Sequence, residues 1–367
     1  MNPLVRLGEL GQSPWYDYIT RDLVASGELA RLIREDGLRG MTSNPTIFEK
    51  AVAGSGAYDE DIRRLGRDGR SPGEIFEALA VADVRAACDE FAELHRRTGG
   101  LDGQVSLEVS PELAHDTEAT TQEAHRLWAA LDRPNAMIKI PGTEAGLPAI
   151  TRCIADGISV NVTLLFSVER YSAVIEAWLT GLEQRLAARE PLATVASVAS
   201  FFVSRVDGRV DALLDRAASE AAALRGRIAI ANAAAAYRLF EWSLGTARWD
   251  RLAKAGARPQ RPLWASTSTK DPRYPDTYYV EALVAPRTIN TLPPETFAAY
   301  RDHGRPAVRI RESIAASTGE LKALAELGID LPAITRELEE DGVAKFAASY
   351  RSLLAGIEAK AGELVGR

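Results

Sequence analysis

The chain has 367 residues, of which 46% are hydrophobic and 26% charged, a composition typical of a globular protein with a sizeable core. Its 44 lysines and arginines against 51 aspartates and glutamates give a net charge of −7, which argues against nucleic acid or a membrane surface as a partner. The length fits two average domains or one long barrel, and we predict a single domain over residues 1–367.

The amino terminus and the cysteines point to the cytoplasm. Residues 1–6 lack the basic start and the apolar stretch of a signal peptide, and no later segment is apolar for long enough to span a bilayer. Cys88 and Cys153 are isolated from each other and from paired histidines, so neither a disulfide framework nor a zinc site is indicated. Because no dinucleotide-binding turn or phosphate-cradling lysine loop occurs either, we expect no cofactor and no metal.

Short apolar runs alternate with longer stretches of helical periodicity, which predicts parallel strands joined by crossover helices. One helix is predicted to begin at Ser71 with Glu74 completing a capping box, and another to begin at Ser167. Stretches rich in alanine and charge predict further helices over residues 217–223, over 228–236 and from 310 to the carboxyl terminus. The strand-like runs are Trp15–Asp17, Met41–Asn44, Val105–Val109, Met137–Ile140, Val160–Thr163, Val198–Phe202 and Leu263–Ser266.

Each of these runs delivers a polar residue near its carboxyl end. In a closed parallel barrel the catalytic groups gather where the strands end, so the recurrence of polar residues there favours an active site. Each of them also has a structural explanation, as a turn cap, a solvated carboxylate or a space-filling hydroxyl. Side chains two residues apart share a face of a strand, which pairs Thr42 with Asn44, Ser106 with Glu108, Met137 with Lys139, Asn161 with Thr163 and Ser200 with Phe202.

Lys139 lies inside an apolar run that stops at Pro141 and Gly142. Burying an ammonium group favours the neutral amine, which is a nucleophile that can form a Schiff base with a carbonyl substrate. The alternative is a lysine on an edge strand whose charged end reaches solvent. The residues that accompany Lys139 on neighbouring strands favour the first interpretation.

Several of these strand-end segments resemble segments of the transaldolase family, most closely of its long actinobacterial form within the class I aldolase superfamily. The most specific segment is Asn161-Val162-Thr163-Leu164-Leu165-Phe166 after a strand that contains such a lysine. The similarity covers roughly the first three quarters of the chain. Matching segments run in the order Asp17, Thr42-Ser43-Asn44-Pro45-Thr46, Ser106-Leu107-Glu108-Val109, Ile138-Lys139-Ile140-Pro141, the asparagine segment, Ser200-Phe201-Phe202-Val203-Ser204-Arg205 and Trp264-Ala265-Ser266.

The resemblance implies an α/β fold, a (β/α)8 TIM barrel with additional helices. It also implies a Schiff-base transferase of the pentose phosphate pathway, which moves a dihydroxyacetone unit between sugar phosphates. Sedoheptulose 7-phosphate and glyceraldehyde 3-phosphate would give erythrose 4-phosphate and fructose 6-phosphate. The expected partners are therefore sugar-phosphate substrates, with a homo-oligomer as a further expectation and with neither nucleic acid nor membrane.

The same resemblance implies roles for individual residues. Lys139 would form the imine, Glu108 would move protons through a water held by Thr163, and Asp17 would be the base for carbon–carbon cleavage. The implied substrate-binding residues are Asn44, Asn161 and Ser200 for hydroxyls, Phe202 as a shape element, and Arg205 and Ser266 at the phosphate end.

The phosphate end departs from the commoner family pattern, which has a basic residue two positions after the matching serine. This chain has Ser268 there, within Thr267-Ser268-Thr269-Lys270-Asp271-Pro272. Either Lys270 supplies the second charge from a longer loop, or Ser268 takes its place with neutral hydrogen bonds.

Two other functions fit parts of the sequence. A fructose 6-phosphate aldolase would use the same lysine but release free dihydroxyacetone, and Glu108 argues against it because aldolase relatives tend to have a tyrosine in that role. A non-catalytic sugar-phosphate binding barrel would have lost a reactive group, and none is missing here. The additional helices fit an oligomer interface, a lid or a thicker shell, and Phe240, Trp242 and Trp249 within them are expected in the core.

Overall fold

Eight parallel strands close into a barrel in the computed structural model, which describes residues 2–216 and 219–366. Each strand pairs with the next one along the chain, and the eighth pairs with the first. This architecture confirms the predicted (β/α)8 barrel. The strands are β1 Gln12–Tyr16, β2 Gly40–Thr42, β3 Gln104–Glu108, β4 Ala136–Pro141, β5 Val160–Leu165, β6 Ser197–Phe202, β7 Arg261–Ala265 and β8 Thr288–Leu292.

The strands are buried on both faces, because side chains of the barrel interior cover one face and the surrounding helices cover the other. All seven predicted strand runs correspond to strands, although their ends differ by up to three residues. The eighth strand, Thr288-Ile289-Asn290-Thr291-Leu292, was not predicted from its residues. Three of its five side chains are polar, which is atypical of a buried strand, yet the strand is buried throughout.

The helices form the outer layer. The predicted start at Ser71 is confirmed, since Ser71 caps a 26-residue helix and forms a capping box with Glu74, and Ser167 likewise caps the helix that follows β5. The helices are α1 Pro3–Glu9, α2 Arg21–Ala25, α3 Glu28–Glu35, α4 Pro45–Gly54, α5 Asp59–Arg67, α6 Pro72–Arg97, α7 Thr117–Leu131, α8 Gly146–Ala155, α9 Val168–Ala187, α10 Ser204–Leu214, α11 Ile228–Ser243, α12 Ala247–Lys254, α13 Tyr278–Ala282, α14 Pro294–His303, α15 Ile310–Glu326 and α16 Leu331–Val365, with short 3-10 helices at Gly56–Tyr58, Pro111–Leu113 and Ser219–Leu224.

The alanine-rich stretches are only partly as predicted. Residues 228–236 lie within α11, and the carboxyl-terminal stretch forms two helices that are separated near Gly328, whose φ of +76° suits a helix end. In the predicted helix over residues 217–223, Ala217 and Ala218 lie outside the described residues, and the remainder belongs to a 3-10 helix rather than an α-helix.

The aromatic residues of the additional helices differ in burial. Phe240 and Trp249 are buried, as expected, whereas Trp242 is 68% exposed, so the prediction that it lies in the core is wrong. Trp242 follows Phe240 by two residues on α11, a spacing that turns it away from the buried face. Among the described residues, none of the helices combines the length and the apolar character needed to cross a bilayer.

The strand register places three functional candidates side by side. Lys139 of β4 is opposite Glu108 of β3 and opposite Asn161 of β5. One step along the barrel, Thr42 of β2 is opposite Ser106 of β3. The barrel thus brings these polar side chains together near the carboxyl ends of its strands, where α/β barrels place their chemistry.

Candidate active site

Lys139 is buried inside the barrel, with 4% of its surface exposed. Its Nζ atom lies 3.0 Å from Oε2 of Glu108 and donates a hydrogen bond of 3.1 Å to the backbone carbonyl oxygen of Ser43. Its amine does not reach bulk solvent, so the alternative of an edge-strand lysine is wrong for this residue. An amine held this way has a fixed position relative to a bound carbonyl group.

Glu108 is the carboxylate partner of that amine. Burial raises the pKa of Glu108 above its ordinary value, and the positive charge of Lys139 opposes this rise. Its Oε1 atom is buried and has no hydrogen-bond partner, and the same is true of Oγ1 of Thr163. A raised pKa moves a carboxyl towards the pH range in which it can both give and take a proton during a reaction.

Thr163 lies at a distortion of β5. The register between β5 and β6 shifts between Val162 and Leu165, and Leu164 has a positive φ of +61°. Such a bulge re-aims the side chains next to it, and bulges and strained residues concentrate at functional sites. Thr163 therefore presents its hydroxyl from an irregular stretch of backbone rather than from a regular strand.

A hydrogen-bonded chain fixes the amide of Asn161. Its Nδ2 atom donates to Oγ of Ser106 over 3.0 Å, and its Oδ1 atom accepts from Oγ of Ser200 over 2.7 Å. The side chains of Ser106, Asn161 and Ser200 are all buried, on β3, β5 and β6 respectively. The amide is thus held in one orientation beside Lys139.

Asp17 follows the end of β1 and is partly buried. Its Oδ1 atom accepts a hydrogen bond of 2.6 Å from Oγ1 of Thr42, whose hydroxyl is also 2.7 Å from that of Thr291. Burial raises the pKa of Asp17, and the charge of Lys139 and the Thr42 hydrogen bond oppose the rise. These opposing influences suit a carboxylate that works as a base.

Asn44 has a structural role in addition to its place in the site. Its side chain caps α4 by accepting a hydrogen bond of 3.1 Å from the backbone N–H of Ile47. The residue nevertheless borders the same space as Lys139. The turn-cap interpretation is therefore correct without excluding contact with a ligand.

A cavity of about 430 Å³ opens above Lys139 at the carboxyl ends of the strands. This volume is in the range of small-molecule sites. Glu108 and Asn161 are predicted site residues that do not line it, and Glu108 instead borders a smaller space beneath α6. The predicted residues that do line the cavity are Asp17, Asn44, Lys139, Thr163, Ser200, Phe202, Arg205, Ser266, Ser268 and Lys270.

Cationic side chains, among them Arg205 and Lys270, line this cavity. Arg205, in the first turn of α10, lies with its guanidinium carbon 5.1 Å from the centre of the Phe202 ring. Burial lowers the pKa of Arg205, and the charge of Asp17 opposes this. Ser266 is 3.0 Å from Ser204, measured between hydroxyl oxygens, while Ser268 is buried and Lys270 is exposed. A guanidinium, hydroxyls and an ammonium together suit a phosphate group.

Phe346 of α16 is a site residue that sequence reasoning missed. Its ring centre lies 5.6 Å from Nζ of Lys139, and the ring lines the cavity. The signal for it was weak, namely Gly342 inside a long helical pattern, which indicates close packing. A methyl group at Gly342 would indeed lie only 3.0 Å from Cδ2 of Leu164. The other lining residues that were not predicted are Tyr18, Thr42, Thr46, Ile47, Lys50, Ala265, Thr291, Pro293, Pro294 and Glu295.

Known proteins resemble this chain over nearly its whole length. The family model described as Transaldolase/Fructose-6-phosphate aldolase matches residues 14–357, which extends the similarity beyond the first three quarters of the chain. A protein named Transaldolase from Acidothermus cellulolyticus is 52% identical, covering 97% of this chain and 96% of its own. One of the same name from Parafrankia sp. is 51% identical over 98% of both chains, and Transaldolase 2 from Nostoc sp. is 45% identical over 98% of both.

Proposed function

Because the chain belongs to the transaldolase family, we propose that it transfers a dihydroxyacetone unit between sugar phosphates through an imine on Lys139. Relatives of about half identity that carry the name transaldolase place it among the transferases and do not favour a free aldolase or a non-catalytic barrel. The observation that carries the proposal is the buried amine of Lys139, 3.0 Å from the Glu108 carboxylate and bordering a cavity of sugar-phosphate size.

The first step joins the amine to the ketose. The nitrogen of Lys139 adds to the C2 carbonyl carbon, and the resulting carbinolamine loses its hydroxyl as water to form a protonated imine. Glu108 is within reach of the nitrogen and can supply the proton that the departing hydroxyl needs. The unpartnered atoms Oε1 of Glu108 and Oγ1 of Thr163 support the proposal that a water between them relays this proton.

The second step breaks the carbon–carbon bond. Asp17 takes the proton of the C4 hydroxyl, the C3–C4 electron pair moves into the imine, and an aldose phosphate leaves with its new carbonyl at C4. The three carbons that remain are an enamine on Lys139. The hydrogen bond from Thr42 holds the Asp17 carboxylate while it exchanges protons.

The enamine then attacks the carbonyl carbon of an acceptor aldose phosphate. Asp17 returns its proton to the new alkoxide, and the water lost at the start is regained when the imine is hydrolysed. The oriented amide of Asn161, the hydroxyl of Ser200 and Asn44 are suited to hold the hydroxyls of the retained unit. Phe202 shapes the wall beside them.

Transfer requires that water does not reach the enamine while one aldehyde leaves and another arrives. Phe346 supports this part of the proposal, because its ring lies over the Lys139 amine. An apolar ring in this position excludes water without offering a competing acid that would protonate the enamine.

Arg205 is the anchor for the phosphate of both ketose and aldose, with Ser266 beside it. We place the reaction in the cytoplasm and in the pentose phosphate pathway, as for the family. A single domain, a homo-oligomer and the absence of a nucleic-acid partner stay predictions.

Trapping with borohydride tests the proposed function. Reduction in the presence of fructose 6-phosphate should leave a stable adduct on the peptide that contains Lys139, and the Lys139→Met variant should show none. Product formation from fructose 6-phosphate should require an acceptor such as erythrose 4-phosphate. An adduct on another lysine would refute the role of Lys139, and fast product formation without acceptor would refute transfer.

A further inference from the structure

The loop between β7 and α13 carries Lys270 and is attached to α10, the helix that begins beside Arg205. Lys270 borders the catalytic cavity on one side and a second cavity of about 620 Å³ on the other. An exposed lysine on an unsupported loop would lose conformational entropy when it binds a ligand. The contribution of Lys270 to ligand binding therefore depends on which residues hold the loop in place.

The first attachment of the loop is a tyrosine that bonds to a buried carboxylate. The hydroxyl of Tyr274 donates a hydrogen bond of 2.6 Å to Oδ2 of Asp211 on α10. Oδ1 of Asp211 accepts a bond of 3.0 Å from the backbone N–H of Gly226. Gly226 has a φ of +71°, and a methyl group there would lie 2.7 Å from the Tyr274 ring, so the ring rests directly on this backbone.

The second attachment joins the residue next to Lys270. Nη2 of Arg225 lies 3.2 Å from Oδ2 of Asp271, while Nη1 of the same guanidinium donates to the backbone carbonyl of Asp211 over 3.3 Å. Arg225 also pairs with Asp215 just beyond the end of α10. Through Arg225, Asp271 and with it the backbone of Lys270 are therefore attached to α10 a second time.

The helix that follows the loop is held by the same face of α10. Asp207, four residues before Asp211, accepts a hydrogen bond of 2.9 Å from the hydroxyl of Tyr279 and one of 2.7 Å from the backbone N–H of Ala229. Two buried carboxylates on one helix thus fix the loop and the start of α13. The ring of Tyr278 stacks on Tyr274 with the ring centres 5.3 Å apart.

We propose that Lys270, rather than Ser268, supplies the second phosphate contact, and that Asp211 and Tyr274 are positioning residues for it. This proposal rests on the proposed function. Helix α10 then holds both cationic groups of the phosphate end, Arg205 in its own first turn and Lys270 through the attached loop. The tether lets a flexible lysine act as a fixed donor where the commoner family pattern has a residue closer to the strand.

Phosphate binding tests the proposal directly. The inhibition constant of inorganic phosphate and the KM for fructose 6-phosphate are measured with unphosphorylated glyceraldehyde as acceptor. Replacing Lys270 with Met should raise both about tenfold, the usual effect of losing one charge-assisted hydrogen bond. Tyr274→Phe removes one hydroxyl and should raise both about threefold. Tyr278→Phe, which keeps the stacked ring, is the matched control and should change neither.

The double variant separates positioning from general damage. If Tyr274 acts through Lys270, Tyr274→Phe should add no further loss in the Lys270→Met background. A threefold loss that persists in that background, or weakened phosphate binding in Ser268→Ala but not in Lys270→Met, would overturn the proposal. Should Tyr274→Phe not fold, Asp271→Ala removes the acceptor of the other attachment and gives the same test. Failure to trap an adduct on Lys139 in the wild type would refute the proposed function instead.

Discussion

Replacing Lys139 with Met removes the amine, keeps most of the side-chain volume and leaves the carboxylate of Glu108 without its counter-charge. Both residues are buried, with 4% and 8% of their surfaces exposed, and the ion pair spans 3.0 Å. Breaking a buried pair by removing one partner costs about 3–5 kcal/mol when the remaining group stays charged. Turnover should be lost at every pH, whereas stability should depend strongly on pH.

The direction of this pH dependence of stability follows from the pKa of Glu108. Burial already raises that pKa, and Lys139 opposes the rise, so removing Lys139 raises it further. A carboxyl whose pKa is raised by folding stabilises the protein below its unfolded pKa and loses that stabilisation as the pH rises through its folded value. The variant should therefore resemble the wild type in stability near pH 4, below the ordinary pKa of a glutamate, and should be increasingly destabilised as the pH rises to 8.

The expected shift is measurable by calorimetry. An unfolding entropy of about 2.1 cal/mol/K per residue gives about 0.8 kcal/mol/K for this chain, so 3–5 kcal/mol lowers Tm by about 4–6 °C. Adding Glu108→Gln should remove the difference between pH 4 and pH 8. Lys345→Met, at an exposed position of α16, is the control for loss of a positive charge. The reasoning fails if the Lys139 variant has the same pH dependence of Tm as the wild type.

Three further predictions concern carboxylates. Glu108→Gln should slow imine formation, measured by borohydride trapping, by about two to four orders of magnitude. The control Glu112→Gln, at an exposed position, should not slow it. If Glu108→Gln forms the imine as fast as the wild type, Glu108 has no part in the mechanism. Thr42→Val should move the acid limb of the pH–rate profile to higher pH, because its hydrogen bond lowers the pKa of Asp17, and an unmoved limb would contradict that role. Burial raises the pKa of Asp207 to about 7, which implies a loss of about 2–3 kcal/mol of stability between pH 5 and pH 8; denaturant titrations of Asp207→Asn should lack this loss.

Local signals predicted much of the fold. The capping box at Ser71 and the cap at Ser167 fixed two helix starts, and apolar runs marked seven strands. The eighth strand was not predicted, because Thr288, Asn290 and Thr291 are residue types typical of loops. In the closed barrel these residues are buried. Closure is a long-range event that no local pattern encodes.

The candidate site was predictable where chemistry and strand spacing coincide. Lys139, Glu108 and Asn161 follow the alternation of strand faces, and the register aligns them. That Glu108 lies behind Lys139 rather than in the wall of the main cavity was not predictable, because it depends on side-chain direction in three dimensions. The exposure of Trp242 was missed for a related reason, since composition does not say which face of a helix meets the barrel.

The carboxyl-terminal helix belongs to the site even though its sequence carries no catalytic motif. Gly342 of α16 permits close approach to Leu164, the residue with positive φ that follows Thr163, and Phe346 one turn later reaches the Lys139 amine. A single helix thus packs on the backbone bulge next to the Thr163 hydroxyl and on Lys139, the proposed nucleophile. Because a bulge persists only when the surrounding structure supports it, the position of the Thr163 hydroxyl depends on packing against α16 as well as on β5. The contacts of this helix with the proposed site are packing contacts, which explains why the short motifs of the strand ends did not point to it.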